Sequence, residues 1–297
     1  MQIIKGAYSC VICMQDKIVA FRDYYAFKPL MIGKREDDVV VASENAALEI
    51  FDIDNYRDIK AGEIVIIDKD GISSYPSDIH NNQKHCIFEH IYTARPDANI
   101  DHMNSYVFRK SCGEKLYKQA PIEADLVCPV PDSGTAAAIG FSQASGIPFA
   151  QGLVKNKYIG RSFIKPSQRE RDLAVKLKLN PQKSVIYGKS IALVDDSIVR
   201  GTTSAKLIKR MRKFGAKEVH FRVSSPPFTN PCYYGIDTPD KSDLIASKLN
   251  IDDIRDQIGA DSLEFISLGN MLQITSNPDG YCKACFTGNY PIKKDKV

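Results

Sequence analysis

Apolar positions follow two rhythms along this chain, and the change from one to the other divides it. Up to about residue 80 they alternate in short bursts, predicting strands over 7–13, 17–22, 38–42 and 63–67 and a short helix over 44–50. The stretch 74–84 holds Pro76, Asp78, Asn81 and Asn82 and reads as an irregular crossover. Beyond it, helical and strand patterns take turns: helix 100–118, strand 125–129, helix 135–145, strand 190–194, helix 203–214 and strand 218–223. Such alternation builds a parallel sheet with helices on both faces. The expected division is a β-rich part, 1–80, followed by an α/β part, 81–297.

The run Ile191-Ala192-Leu193-Val194-Asp195-Asp196-Ser197-Ile198-Val199-Arg200-Gly201-Thr202-Thr203 carries the most chemical information. Four apolar residues suit a strand covered on both faces, so the two acids emerge at its carboxyl end, where open α/β sheets bind ligands. The backbone N–H groups from Ser197 to Thr203 can surround a phosphate at the start of the next helix, with Thr202, Thr203 and Ser204 as candidate caps. Gly201 permits close approach. Adjacent carboxylates repel, so they call for a cation, Mg2+ bridging to substrate oxygens, or for the hydroxyls of a ribose. An acidic turn that merely caps a helix explains one Asp and one Thr but not the whole string.

Composition limits the choices. The 297 residues are 43% hydrophobic, with no apolar run long enough for a signal peptide or a membrane span, which leads us to expect a cytoplasmic protein. A net charge of +4, spread rather than gathered, favours a small polyanionic substrate over nucleic acid. Eight cysteines in such a protein suggest metal or packing roles rather than disulfides.

The acid-rich string resembles the phosphoribosyl pyrophosphate (PRPP) signature of type I phosphoribosyltransferases. In order along the chain, Pro131-Asp132-Ser133-Gly134-Thr135, Lys155-Asn156-Lys157-Tyr158-Ile159-Gly160-Arg161, Ser224-Ser225-Pro226-Pro227 and Cys282-Lys283-Ala284-Cys285-Phe286-Thr287-Gly288 extend the likeness to the glutamine amidophosphoribosyltransferase family. The resemblance covers nearly all of this chain but only part of the family's length. It implies an α/β fold: a type I phosphoribosyltransferase parallel sheet with flanking helices, preceded by a partial N-terminal-nucleophile glutaminase (α/β/β/α) domain. The implied activity, the first step of de novo purine synthesis, forms 5-phosphoribosylamine and pyrophosphate from PRPP and ammonia. The alternative is a non-catalytic PRPP- or nucleotide-binding fragment, or one subunit of a split enzyme.

By the same resemblance, Asp195 and Asp196 bind Mg2+ and the ribose hydroxyls. Ser197, Val199, Arg200, Gly201, Thr202 and Thr203 hold the 5-phosphate, and Asp132, Ser133, Gly134 and Thr135 cradle the pyrophosphate. Many relatives carry serine where Gly134 stands, which removes a side-chain metal contact. Lys157 and Arg161 fall in a basic segment that reads by itself as a solvated loop, but whose counterpart in the family is a lid over PRPP.

The glutaminases of this family use an N-terminal cysteine whose own α-amine is the nearby base. No residue here matches that nucleophile, the glutamine-binding arginine or the oxyanion pair, so glutaminase activity is not expected of this chain alone, and ammonia would be free or come from a separate glutaminase chain. Cys10 and Cys13 lie in a predicted strand and read as core residues. Ala26 and Lys28 stand where the family has glycine and arginine, which questions the local turn if it needs a positive φ. Cys86, Cys232, Cys282 and Cys285 occupy the positions at which one branch of the family binds an iron-sulfur cluster, 4Fe-4S; zinc on the same thiolates is the alternative. Cys112 and Cys128 read as packing residues. The family also implies homo-oligomers and purine nucleotide inhibitors.

Overall fold

The computed structural model describes residues 4–76, 83–156, 179–238 and 240–292. Two compact units divide the chain. One comprises residues 1–108, 230–238 and 275–297, and the other 109–229 and 239–274. The sequence suggested a single break at about 80. The contacts move it to Phe108 and return two later segments to the first unit, because Tyr281–Cys282 pairs in parallel with His85–Cys86.

In the first unit, Ser9–Cys13, Lys17–Arg22, Ile64–Asp68 and Gly71–Tyr75 form an antiparallel sheet in the order first, second, third, fourth. Asp38–Ala42, Met31–Arg35 and Tyr56–Asp58 form a second sheet, with Met31–Arg35 central. Ala20 and Val65 from one sheet and Ile32 from the other share a buried cluster with Leu30 and Ile59. The helix Asn45–Glu49 contributes Leu48, which packs with Met31 and Ile53.

The crossover expected over 74–84 is in part the strand Gly71–Tyr75; residues 77–82 lie outside the described set. Cys13 is exposed and Cys10 half-buried, correcting their reading as core. Ser9–Cys13 is an edge strand, and Val11, Ile12 and Met14 on or beside it are exposed with it. Ala26 does adopt a positive φ, +51°, so the turn keeps its left-handed form without glycine. Asp23, whose carboxylate accepts from the backbone N–H groups of Tyr25 and Phe27, holds that turn.

The second unit is built on four parallel strands in the order Leu126–Pro129, Ser190–Asp195, Glu218–Val223, Ser262–Phe265. The sequence pattern missed the last of these. Ile191, Leu193, Val219, Phe221 and Leu263 pack with Leu207, Ile208 and Met211 of the helix Thr202–Lys213 and with Ile254 and Ile258 of Ile251–Ile258. Because successive residues of a strand alternate sides, His220 and Arg222 face the other way. There Glu264 shares Arg222's register and accepts from Gln119 Nε2 at 2.8 Å.

Gln119 ends the helix Ser105–Gln119, which begins five residues later than expected, since Asn99–Ile100 and Met103–Asn104 form a two-stranded ribbon around Asp101 and His102, both at positive φ. This helix meets Thr135–Ser145 backbone to backbone. A Cβ on Gly113 would stand 1.8 Å from the Ala137 carbonyl oxygen, and one on Gly140 would stand 1.9 Å from that of Lys110. No side chain fits at either crossing point.

Candidate active site

All four parallel strands end on the same side, and the central strand Ser190–Asp195 delivers the acid pair there. Asp196 is buried, 5% exposed. Its backbone N–H donates to Asp195 Oδ1 at 2.9 Å, and Ser197 Oγ donates to Asp196 Oδ2 at 2.5 Å. Burial and then the neighbouring Asp196 charge push the Asp195 carboxyl well above the usual range. The turn therefore sets two carboxylates side by side in a buried place, where they disfavour each other's charge.

Past the acids the chain makes the predicted turn. Val199 O accepts from Ile245 N at 2.9 Å, Arg200 is exposed and reaches Asp243 at 3.2 Å, and Gly201 turns the chain at φ +73°. The helix starts at Thr202, one residue early, with Gly201 as its cap and no side-chain cap. Thr202 and Thr203 are thus exposed in the first turn rather than capping it, and Ser204 is buried. Leaving that cap to backbone keeps the first N–H groups open to an anion.

The second loop follows Leu126–Pro129. Pro131–Asp132 is a cis peptide, Asp132 is exposed and ion-paired with Lys155, Ser133 is half-buried, and Thr135 opens the helix Thr135–Ser145. Gly134 sits so close to the acid strand that a Cβ would lie 2.4 Å from Val194 O. No side chain, the expected serine included, therefore has room here. Val130 N donates to Val194 O at 2.8 Å and Ser224 N to Asp195 O at 2.9 Å, so both neighbouring loops are tied to the acid strand. Lys157 and Arg161 lie outside the described residues.

Sequence reasoning missed Arg109. It is 4% exposed in the helix Ser105–Gln119, and the Asp196 carboxylate acts on it electrostatically. The only available signal was a cation on the buried face of a helix, shared with Phe108, Cys112 and Leu116.

The first unit gathers the other predicted set. Cys86 and Cys282 are partners in the short parallel pairing, Cys285 O accepts from Asn230 N at 3.0 Å, and Cys232 Sγ accepts from Tyr234 N at 3.3 Å. The Cys285 thiol feels Cys86, Cys282 and Cys232 as electrostatic neighbours, so all four come together. Burial pushes Cys86 to about 12 and Cys282 to about 11. Among the described residues, no group of three or more His, Cys, Asp or Glu side chains is arranged to hold a metal ion. Cys112 and Cys128 are buried. No helix among the described residues is long and apolar enough to cross a membrane.

A parallel sheet with an acid pair at its carboxyl end, a glycine-turned phosphate helix and a second loop tied to the same strand defines a type I phosphoribosyltransferase. No family model matches the chain. It is 46% identical over 296 residues to amidophosphoribosyltransferase 1, chloroplastic, of Arabidopsis thaliana, covering 99% of this chain and 52% of that one. The amidophosphoribosyltransferase of Methanocaldococcus jannaschii is 46% identical over 303 residues, covering 97% of this chain and 64% of the relative. A solved glutamine PRPP amidotransferase from B. subtilis, complexed with ADP and GMP, superposes with a TM-score of 0.91 at 43% identity, covering 100% of this chain and 67% of that one. The chain belongs to the amidophosphoribosyltransferase family. It spans about half to two-thirds of the length of these relatives and matches their C-terminal part.

Proposed function

We propose that this chain binds Mg2+ and PRPP at the Asp195–Asp196 turn and forms 5-phosphoribosylamine from PRPP and ammonia. The observation that carries the reading is the buried acid pair at the carboxyl end of the parallel sheet, beside a helix start left open to phosphate. In the reaction, the bond from ribose C1 to pyrophosphate breaks, ammonia attacks C1 from the opposite face, and the new amine sheds a proton. Positive charge grows on the ring and negative charge on the leaving oxygens. Bound Mg2+ would supply charge neutralisation of the pyrophosphate. Asp195 and Asp196 would hold the metal and orient the ribose hydroxyls. The Asp132–Thr135 loop would receive the leaving group, while the N–H groups from Ser197 to Thr203 anchor the 5-phosphate. ADP and GMP, which the B. subtilis relative binds, are the first inhibitors to test.

Pyrophosphate release from Mg2+ and PRPP, with ammonium or glutamine as nitrogen source, tests the reading. We expect turnover with ammonium. Turnover with glutamine would overturn the assignment of ammonia as this chain's nitrogen source. Release with neither, from folded protein, would favour the PRPP-binding fragment or split-enzyme reading.

For the four cysteines, the reading is an iron-sulfur cluster of structural role on Cys86, Cys232, Cys282 and Cys285. Their convergence and burial support it, because buried thiolates need a nearby positive centre. Zinc, held by four thiolates at ~2.3 Å around one ion, is the alternative. Iron and sulfide analysis with visible absorbance decides it: a brown protein is expected, and colourless protein containing zinc would overturn it.

A further inference from the structure

Three consecutive residues of the phosphate turn, Val199, Arg200 and Gly201, are each held by one short segment, 241–247. Ile245 donates its backbone N–H to Val199 O at 2.9 Å. Its side chain closes the space beside Gly201, where a Cβ would stand 2.7 Å from Ile245 Cδ1. Asp243 Oδ2 accepts from Arg200 Nη2 at 3.2 Å.

The segment is anchored and the arginine is not. Leu244 is fully buried, and Ile245 joins Ile198, Leu207 and Ile258 in the core of the second unit. Asp243 N donates to Asp240 O at 2.8 Å and Ser247 Oγ to Lys241 O at 2.6 Å, so the residues around Asp243 are bonded among themselves. The Arg200 side chain is 59% exposed and, unheld, would sample many rotamers. Among the described residues Asp243 is its hydrogen-bond partner, through Nη2, which leaves Nε and Nη1 uncommitted at the turn. The Asp243 charge itself repels phosphate, so this carboxylate favours binding only if holding Arg200 outweighs that repulsion.

We propose that Asp243 is a positioning residue of the 5-phosphate site: it fixes the Arg200 guanidinium at the turn by one donor and leaves the other donors to the phosphate. The proposal rests on the assignment of the turn to the 5-phosphate of PRPP. Asp243 touches no ligand atom in this scheme; it acts through Arg200.

Equilibrium binding of ribose 5-phosphate without metal, and of Mg·PRPP, to the whole chain tests it, with thermal melts on the same samples. Asp243→Ala removes the acceptor and the charge, whereas Asp243→Asn keeps an acceptor oxygen and removes the charge. Asp243→Ala should weaken binding of both ligands about fivefold, Asp243→Asn should stay within about twofold of the parent, and both melts should stay near the parent's. On an Arg200→Met background, Asp243→Ala should cause no further loss. Tighter or unchanged binding by Asp243→Ala would show that the carboxylate acts by repulsion or not at all, and overturns the proposal alone. So does an undiminished effect of Asp243→Ala on the Arg200→Met background. A parent chain that binds neither ligand overturns the site assignment, and this proposal with it.

Discussion

Each unit buries an arginine that acts on a buried aspartate, and the two centres are built in opposite ways. In the first unit, Arg22 is 1% exposed and uses every donor: Nε on Lys28 O at 2.6 Å, Nη1 on Ile59 O at 3.0 Å, Nη2 on Ala26 O at 3.1 Å, and a fork on Asp101 at 2.9 and 3.0 Å. His85 Nδ1 lies 2.9 Å from the same carboxylate. Burial pushes the Asp101 carboxyl up, but His85 and Arg22 outweigh it and hold it well below the usual range. In the second unit, Arg109 feels Asp196 only electrostatically, and burial and the Asp196 charge keep the neighbouring Asp195 raised. The satisfied centre holds backbone together and leaves nothing for a ligand. The acid pair keeps two buried carboxylates that disfavour each other's charge, which a metal or substrate can relieve, at the expense of local stability.

The largest effect should come from breaking the satisfied centre. Arg22→Met leaves Asp101 with His85 alone and takes a donor from three carbonyl oxygens, and a loss of about 3–5 kcal/mol is expected in chemical denaturation; a loss below about 1 kcal/mol would place this centre among weak pairs. Asp196→Asn should leave the melt near the parent's while lowering pyrophosphate release about a hundredfold, which steady-state assays with ammonium will measure. Gly113→Ala, which drives a methyl into the Ala137 carbonyl, should destabilise by about 1–3 kcal/mol.

The smallest effects sharpen the contrast through pH. Asp101 is depressed below its unfolded value of about 4, so its contribution is present above that pH and fades as the pH falls toward the folded value. Asp195 is raised, so its contribution is present below about pH 4 and is lost as the pH rises toward its folded value. Metal-free Asp195→Asn should therefore be more stable than the parent near neutral pH, by about 1 kcal/mol. Asp101→Asn should be less stable there and lose part of its disadvantage in acid. Melts from pH 3 to 8 check both signs, and parallel curves for the two variants would mean that the centres do not differ as described.

The strongest local signals are legible in the order of the residues. The four-residue apolar run into Asp195 specifies a buried parallel strand, and Gly201 followed by two threonines marks the turn and helix start, although the cap is glycine itself. Weaker patterns fail for identifiable reasons. Met31–Arg35 is central in its sheet yet carries Lys34 and Arg35 on an exposed end, which breaks the alternation. Cys13 reads as core because periodicity cannot tell an edge strand from a central one.

The sequence by itself determined the strand that ends in two acids, the phosphate turn and the family likeness, because these depend on neighbours in the chain and on backbone preferences local to them. Tertiary structure alone decided that the helices Ser105–Gln119 and Thr135–Ser145 meet backbone to backbone, that Gly134 leaves no room for a side chain, and that Cys86, Cys232, Cys282 and Cys285 converge. Each of those facts depends on two helices or strands, distant in sequence, approaching until their backbones or buried side chains come together. Local hydrophobic pattern carries no record of that distance.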